Sequence, residues 1–385
     1  MPVHHTSIAM TRSLVSPEDQ RVTFCELFFD LVFVFSVTQV VGLLHDGITW
    51  TALGEAFLVF WLVWWGWTQF TWALNAADTT HPRVEIAVLV ATGVAFFMAV
   101  GVPSAFEGHS QWFAMTYVAV RVLGLLVYDW VAWADPEQRA AVRKFSAFSV
   151  AGLLAVLAGG FLGGTAQYAL WAAAIALDMI AAGIGGQAEG WNLHPEHFSE
   201  RHGLFVIIAL GESLIVAAGG LTVDAWPASL VISAIAAVAV TGAMWWSYFA
   251  SARDHLEHAM SAAVGNARSR LARDAFSVIH FPMMCGVIGY AAIVEEILAH
   301  PVDQVAIGGR ILLAASMVLF VSGLGAAMRR AGLPVSVARI LAPVSAAAAI
   351  IAAPVPGWVS LAFMFLGIVA VAIAESRPAV HERFA

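Results

Sequence analysis

Runs of about 20 apolar residues recur along this chain, and such a run is the length a helix needs to cross the hydrocarbon of a bilayer. Twelve are predicted, at 24–43, 52–74, 84–103, 112–133, 145–163, 166–185, 203–220, 226–249, 275–298, 305–327, 336–353 and 356–374. In lipid a spanning segment must satisfy its own backbone N–H and C=O groups, so the expected fold is an all-α transmembrane bundle. Two divisions are soft, at Gly163-Gly164-Thr165 and at Pro354-Val355-Pro356. Each marks either a tight hairpin of two spans or a pair of re-entrant segments, and ten spans follow if both are re-entrant. Composition agrees with a membrane protein. Hydrophobic residues make up 61% and charged residues 11% of the chain, against roughly 25% charged in soluble domains.

Lys and Arg in short loops set the orientation of such a bundle. Arg12 and Arg21 precede the first span, and Arg83, Arg139, Arg143, Lys144 and Arg201 lie in even-numbered loops. So do Arg253, Arg268, Arg270, Arg273, Arg329 and Arg330, while Arg377 and Arg383 lie in the tail. The odd-numbered loops carry none, and hold Asp46, Glu107, Asp224 and Asp303 instead. An even number of spans with both termini cytoplasmic follows, and the first span reads as an uncleaved anchor. The chain then divides into a cytoplasmic segment 1–23, a first transmembrane half 24–185, a cytoplasmic linker 186–202, a second half 203–374 with a cytoplasmic loop 250–274, and a tail 375–385.

The halves carry traces of a repeat. Trp64-Trp65-Gly66-Trp67-Thr68-Gln69-Phe70, followed by Asp78, lies at the inner end of the second span. Trp245-Trp246-Ser247-Tyr248-Phe249, followed by Asp254, lies at the inner end of the eighth. The helices 24–43 and 203–220 can be laid together without gaps so that Gln39 meets Glu212. This is the pattern of a parallel 6+6 duplication. Aromatic belts at membrane interfaces would give the same tryptophans.

An ionisable side chain deep in a span costs about 2.5–3.5 kcal/mol on insertion scales, so each one calls for a role. Glu26 and Asp30 are four residues apart and share a helix face. They form either a proton or cation site or an acidic pair favoured by the helix N-terminus. Glu212 falls near mid-membrane beside Gly211, which permits close approach of a neighbouring helix. Arg121 lies in the middle of the fourth span and needs a counter-ion, with Glu212, Asp178 and Asp30 available. Glu200-Arg201 is an inner-mouth pair, and Trp64, Trp65, Gln69, Asp78, Trp245 and Trp246 form the inner-end aromatic motif. His280 precedes Pro282, which should kink the ninth span. It serves either as a proton relay or as a donor to a freed carbonyl. Because acids outnumber arginine, Asp30, Arg121, Asp178 and Glu212 are expected to form one buried cluster on a proton or cation path.

Other classes are disfavoured. The net charge is −8 and no basic patch forms, so no nucleic-acid partner is expected. Cys25 and Cys285 make no disulfide framework. His194/His197 and His255/His258 fall short of a zinc ligand set. No nucleotide-binding or hydrolase motif has its supporting context. No metal, cofactor or catalytic activity is therefore expected, and the expected partners are membrane lipid and an ion or small solute.

Several stretches together resemble the bacterial low temperature requirement A (LtrA) family of multi-pass membrane proteins. They are Glu26-Leu27-Phe28-Phe29-Asp30-Leu31-Val32-Phe33-Val34-Phe35, Trp64 through Asp78, Arg121 in its helix, His197 through Ser213, and Trp245 through Phe249. The resemblance implies a polytopic bacterial inner-membrane protein. The family name records growth in the cold and specifies no chemistry. The Phe29-Asp30 of the first span also looks faintly like the Phe-Ser-Asp helix of a potassium-channel family, with Phe29 where that family has Ser. The leading expectation is a secondary transporter or ion-coupled carrier. An ion channel with 24–43 and 203–220 lining its pore comes second, and an intramembrane lipid-modifying enzyme or a membrane sensor comes third.

Overall fold

The computed structural model describes residues 14–17, 20–45, 47–133, 135–185, 191–219 and 226–376. Arg12, Asp46, Asp224, Arg377 and Arg383, with parts of the predicted linker and tail, lie outside the described residues. Among the described residues twelve helices follow one another: α1 (Phe24–Gly42), α2 (Trp50–Ala76), α3 (Pro82–Val100), α4 (Ser110–Ala132), α5 (Pro136–Leu162) and α6 (Gly164–Gly185), then α7 (Pro195–Gly219), α8 (Ala228–Ala262), α9 (Asn266–Ala299), α10 (Ile307–Arg330), α11 (Ala338–Ala352) and α12 (Gly357–Ser376). Among the described residues there is no β-strand, only the isolated bridges Val15–Ala77 and Gln304–Pro356.

Ten of these helices are long and apolar enough to cross a membrane. The two others are α2, which has 27 residues but is loaded with Trp, Thr, Gln and Asn, and α11, which has 15 residues. The hairpin at Gly163-Gly164 joins two full-length helices. Both glycines have positive φ, at 66° and 54°, which lets the chain reverse within two residues. Because α5 and α6 are 27 and 22 residues long, neither is re-entrant by length.

The boundaries differ from the sequence expectation in one place that matters. Residues 195–202, assigned to a cytoplasmic linker, are the first two turns of α7. The stripe of buried residues along α7 runs back without interruption from Ala209 and Phe205 to Arg201 and His197, at helical spacing. The predicted 250–274 loop is also largely helical. α8 continues to Ala262 through a π turn at Tyr248–Ala252, and α9 begins at Asn266. Leu256, Met260 and Leu271 fold against Phe198 and Phe276 in a small satellite core.

α1 packs on α2, α3, α7 and α9, and α7 packs on α2, α8 and α9, so the two halves meet along α1 and α7. α2 and α9 are the most enclosed helices. α9 contains a π-helical stretch, Ala272–Val278, just before Pro282. In i→i+5 register the carbonyl of Ser277 would be served by residue 282, and proline has no N–H to give. The Trp64 indole donates to that carbonyl instead, at 2.7 Å.

Candidate functional site

Asp30 is fully buried, one helical turn beyond Glu26. Its carboxylate accepts from Arg201 of α7 at 2.6 and 3.3 Å and from the Trp67 indole of α2 at 2.7 Å. Arg201 is also fully buried, donates to the Phe70 carbonyl at 3.2 Å, and lies near the faces of Phe29 and Trp67. Glu26 completes the group. It closes a capping box with Thr23, so its place at the helix N-terminus is partly structural. It also lies 3.5 Å from Arg201 and 3.1 Å from His197.

The protonation pattern of His197 can be read from its neighbours. The Asn75 Oδ1 accepts the backbone N–H of His194 at 2.7 Å, which fixes the orientation of the amide. The Asn75 Nδ2 then points at His197 Nδ1, 3.0 Å away, so that ring nitrogen accepts and Nε2–H is left to donate to Glu26. Held this way, His197 meets Asn75 with one ring nitrogen and Glu26 with the other. Two carboxylates therefore face one permanent cation in a fully buried group.

Arg121 and Asp178 form a second, separate centre. Arg121 donates to Asp178 at 3.1 and 3.4 Å, to the Tyr117 hydroxyl at 2.5 Å and to the Gln69 side-chain carbonyl. Gln69 returns a bond to the Arg121 backbone carbonyl at 2.8 Å. The Trp65 indole also serves Asp178. One cation here meets one carboxylate, and every polar group around them is neutral.

α2 lies between the two centres and supplies side chains to both. Trp67 and Phe70 face Asp30 and Arg201, Trp65 and Gln69 face Arg121 and Asp178, and Trp64 and Trp72 face Ser277 of α9. The three sets follow spacings of three, four and eight residues, each of which keeps a pair on one side of a helix. The expected single cluster of Asp30, Arg121, Asp178 and Glu212 is thus two ion-pair centres, with Glu212 in neither. Glu212 is half-buried and accepts the Thr38 hydroxyl of α1 at 3.2 Å. No side chain packs where a Cβ on Gly211 would stand, so no helix approaches closely there.

The remaining predicted residues have local partners. His280 is buried between the Ala275 carbonyl at 2.7 Å and the Tyr248 hydroxyl at 3.0 Å, which satisfies both ring nitrogens. Glu200 is half-buried and accepts the backbone N–H of Val22 at 3.3 Å. Asp78 caps its own turn, accepting from Thr80 at 2.8 and 3.1 Å. Trp245 stacks on Phe249, and Trp246 is 59% exposed. Among the described residues no group of three or more His, Cys, Asp or Glu is placed to hold a metal ion.

A family model described as "Bacterial low temperature requirement A protein (LtrA)" matches residues 21–374. "Uncharacterized protein RA0937" of Rhizobium meliloti (strain 1021) is 28% identical over 299 residues, covering 74% of this chain and 71% of that one. No solved structure matches.

Proposed function

The chain belongs to the bacterial low temperature requirement A family, and from that premise we propose that it is an ion-coupled carrier whose proton or cation site is Glu26–Asp30 at the seam between its halves. One observation carries the proposal. A fully buried group holds two carboxylates against one arginine, with its histidine engaged by Asn75 as well as Glu26. Such a site is one positive charge short of balance, and an uncompensated buried charge is strongly unfavourable. Taking up one proton or one small cation restores the balance.

Placement supports the same reading. Glu26 and Asp30 belong to the first half, and Arg201 and His197 to the second. A relative movement of the halves would therefore change the affinity for the ion, which is what coupling requires. Glu212 is a second carboxylate on the same seam. Its partner Thr38 is eight residues beyond Asp30, roughly 12 Å along α1 at 1.5 Å per residue. Next to Asp30, Phe29 packs on Phe33 and on Phe70 with ring centroids 4.7 Å apart. Such close aromatic packing beside the carboxylate suits a gated carrier better than a continuously wet pore. A channel lined by α1 and α7 is the second reading, favoured by their direct packing. The fixed charge of Arg201 opposite Asp30 weighs against it for cations. The proposal assigns no catalytic chemistry.

The proposed threading counts all twelve helices as spans in a bacterial cytoplasmic membrane, with both termini inside. α2 is about 40 Å long at 1.5 Å per residue and is enclosed by neighbours, so its polar residues need not face lipid. α11, about 22 Å by the same rise, is the shortest. A 6+6 repeat is supported by packing order. In each half the first helix packs on the third, the third on the fourth, the fourth on the fifth and the fifth on the sixth.

Proteoliposomes with internal pH and potassium dyes, under an imposed potential, test the proposal. Flux is expected with wild type and should vanish with folded Glu26→Gln. Equal flux in the two proteins, or none in wild type, would overturn it.

A further inference from the structure

Where α1, α7 and α9 finish and α10 begins, the bundle opens into a cavity of about 760 Å³. That is within the roughly 300–1,000 Å³ range of small-molecule sites. The cavity lies on the seam between the halves. His45 and Ile48, from the link between α1 and α2, line one side. Glu295 and Glu296 of α9, His300 just after it and Gly309 of α10 line the other. Ala217 of α7 reaches it too, five residues beyond Glu212, or roughly 7.5 Å at 1.5 Å per residue. Along α7 the cavity, Glu212 and Arg201 therefore follow in order. The proposed threading puts the cavity at the outer face.

The lining narrows the ligand. Glu295 is 3.5 Å from His45. Glu296 differs: it is half-buried, and among the described residues its carboxylate makes no hydrogen bond or ion pair. Its Oε2 projects over Gly309, only 3.3 Å from where a Cβ on that glycine would stand. No lysine or arginine lines the cavity, and its two histidines carry charge only when protonated. A concave surface lined by acids in apolar walls concentrates cations. A bare metal ion is a poor match. The space is far larger than one ion, and among the described residues no group of three or more His, Cys, Asp or Glu is placed to hold one. A quaternary ammonium is a poor match as well. It is recognised by a cage of aromatic rings, and no Phe, Tyr or Trp lines this cavity. Carboxylates instead accept from N–H groups.

We propose that this cavity binds a small organic cation bearing N–H groups, the chemistry shared by alkylamines and guanidines. Glu296 would take the charged end in a charge-assisted hydrogen bond. Glu295, shared with His45, would take a second N–H. The apolar part would lie against Ile48 and the alanine wall. Because the two sides of the cavity belong to different halves, the bound cation would bridge them. The claim concerns equilibrium binding, so it stands or falls apart from any flux through Glu26 and Asp30.

The test is calorimetric titration of the full chain in nanodiscs of zwitterionic lipid, without a gradient and with empty nanodiscs as the blank. The probes are 1,4-diaminobutane and its bis-trimethylammonium analogue, which keeps both charges and has no N–H. Saturable binding of diaminobutane is expected. It should weaken about tenfold in Glu296→Gln and about tenfold for the quaternary analogue, the scale of one hydrogen bond between charged groups. Glu295→Gln should weaken it severalfold. Glu55→Gln, near the same end of α2 but outside the cavity, should leave it unchanged. Should Glu296→Gln fail to fold, Glu295→Gln and the quaternary analogue decide. No saturable binding of diaminobutane, unchanged affinity in the folded cavity variants, or equal affinity for the quaternary analogue would each overturn the proposal. So would displacement of diaminobutane by equimolar calcium, which would mark a metal site.

Discussion

Two buried arginines stand on opposite faces of one helix, and their surroundings differ in stoichiometry and placement. Arg121 meets one acid, and Arg201 meets two. The first centre lies wholly within the first half, between α4 and α6, with Tyr117 and Gln69 completing a neutral shell. The second spans the halves and includes a histidine. A balanced pair inside one rigid unit has no reason to change state. An unbalanced group between two units has a reason both to bind an ion and to respond to movement. The comparison teaches that burial of charge alone does not mark a pathway. Stoichiometry and placement are what set the two centres apart.

Charge arithmetic breaks the comparison most directly. Removing either arginine leaves buried acid unpaired, and Arg121→Gln and Arg201→Gln should each cost about 3–5 kcal/mol. Rescue then separates them. Asp178→Asn should restore most of the stability of Arg121→Gln, whereas Asp30→Asn should restore only part of that of Arg201→Gln until Glu26→Gln is added. Thermal unfolding of the purified variants in detergent checks this, and equal rescue by one neutralisation at both centres would erase the distinction.

Function sharpens the same contrast. In the proteoliposome assay His197→Leu should lower proton flux severalfold, because it removes a donor from Glu26, while Tyr117→Phe should leave flux within twofold of wild type. A packing change comes next. A Cβ on Gly124 would stand 2.8 Å from the Gln69 amide nitrogen and 3.0 Å from Phe70. Gly124→Ala should therefore cost about 1–3 kcal/mol by overpacking, with flux retained. The smallest effect falls on the second-half tryptophans. Trp246→Ala should shift stability by less than about 0.5 kcal/mol, whereas Trp64→Phe should lose about 1 kcal/mol with its bond to Ser277.

The sequence made the bundle legible because bilayer thickness imposes a period that no tertiary contact can hide. The family motifs were equally plain. Asp30, Arg121 and Asp178 stood out by depth alone, since charge in hydrocarbon needs a reason. Their partners were harder to read. Glu200-Arg201 looks like a solvated pair because it sits beside a predicted loop, yet α7 starts at Pro195 and turns Arg201 inward. The signal was present in the i,i+4 stripe from His197 through Arg201 to Phe205. Which of three acids meets Arg121 depends on how helices are arranged around α2, and a linear pattern does not encode that. Trp64 and Trp245 look alike in sequence, but the first is enclosed and hydrogen-bonded, while the second stacks at 39% exposure. The difference is in neighbours.

The π stretch of α9 has the form of a ratchet tooth. Its wider turns hold one residue more than an α-helix would, and each residue of an α-helix accounts for about 100° of rotation. Shedding that surplus would spin the rest of α9, from His280 to Ala299, relative to the arginines before it. Trp64 and Trp72 both hook Ser277, one by its carbonyl and one by its hydroxyl, and together they are the pawl. With both hooks removed in a Trp64→Phe, Trp72→Phe protein, the rotation should show as changed labelling of Cys285 by a thiol reagent, read by mass spectrometry; unchanged labelling would mean the tooth never slips.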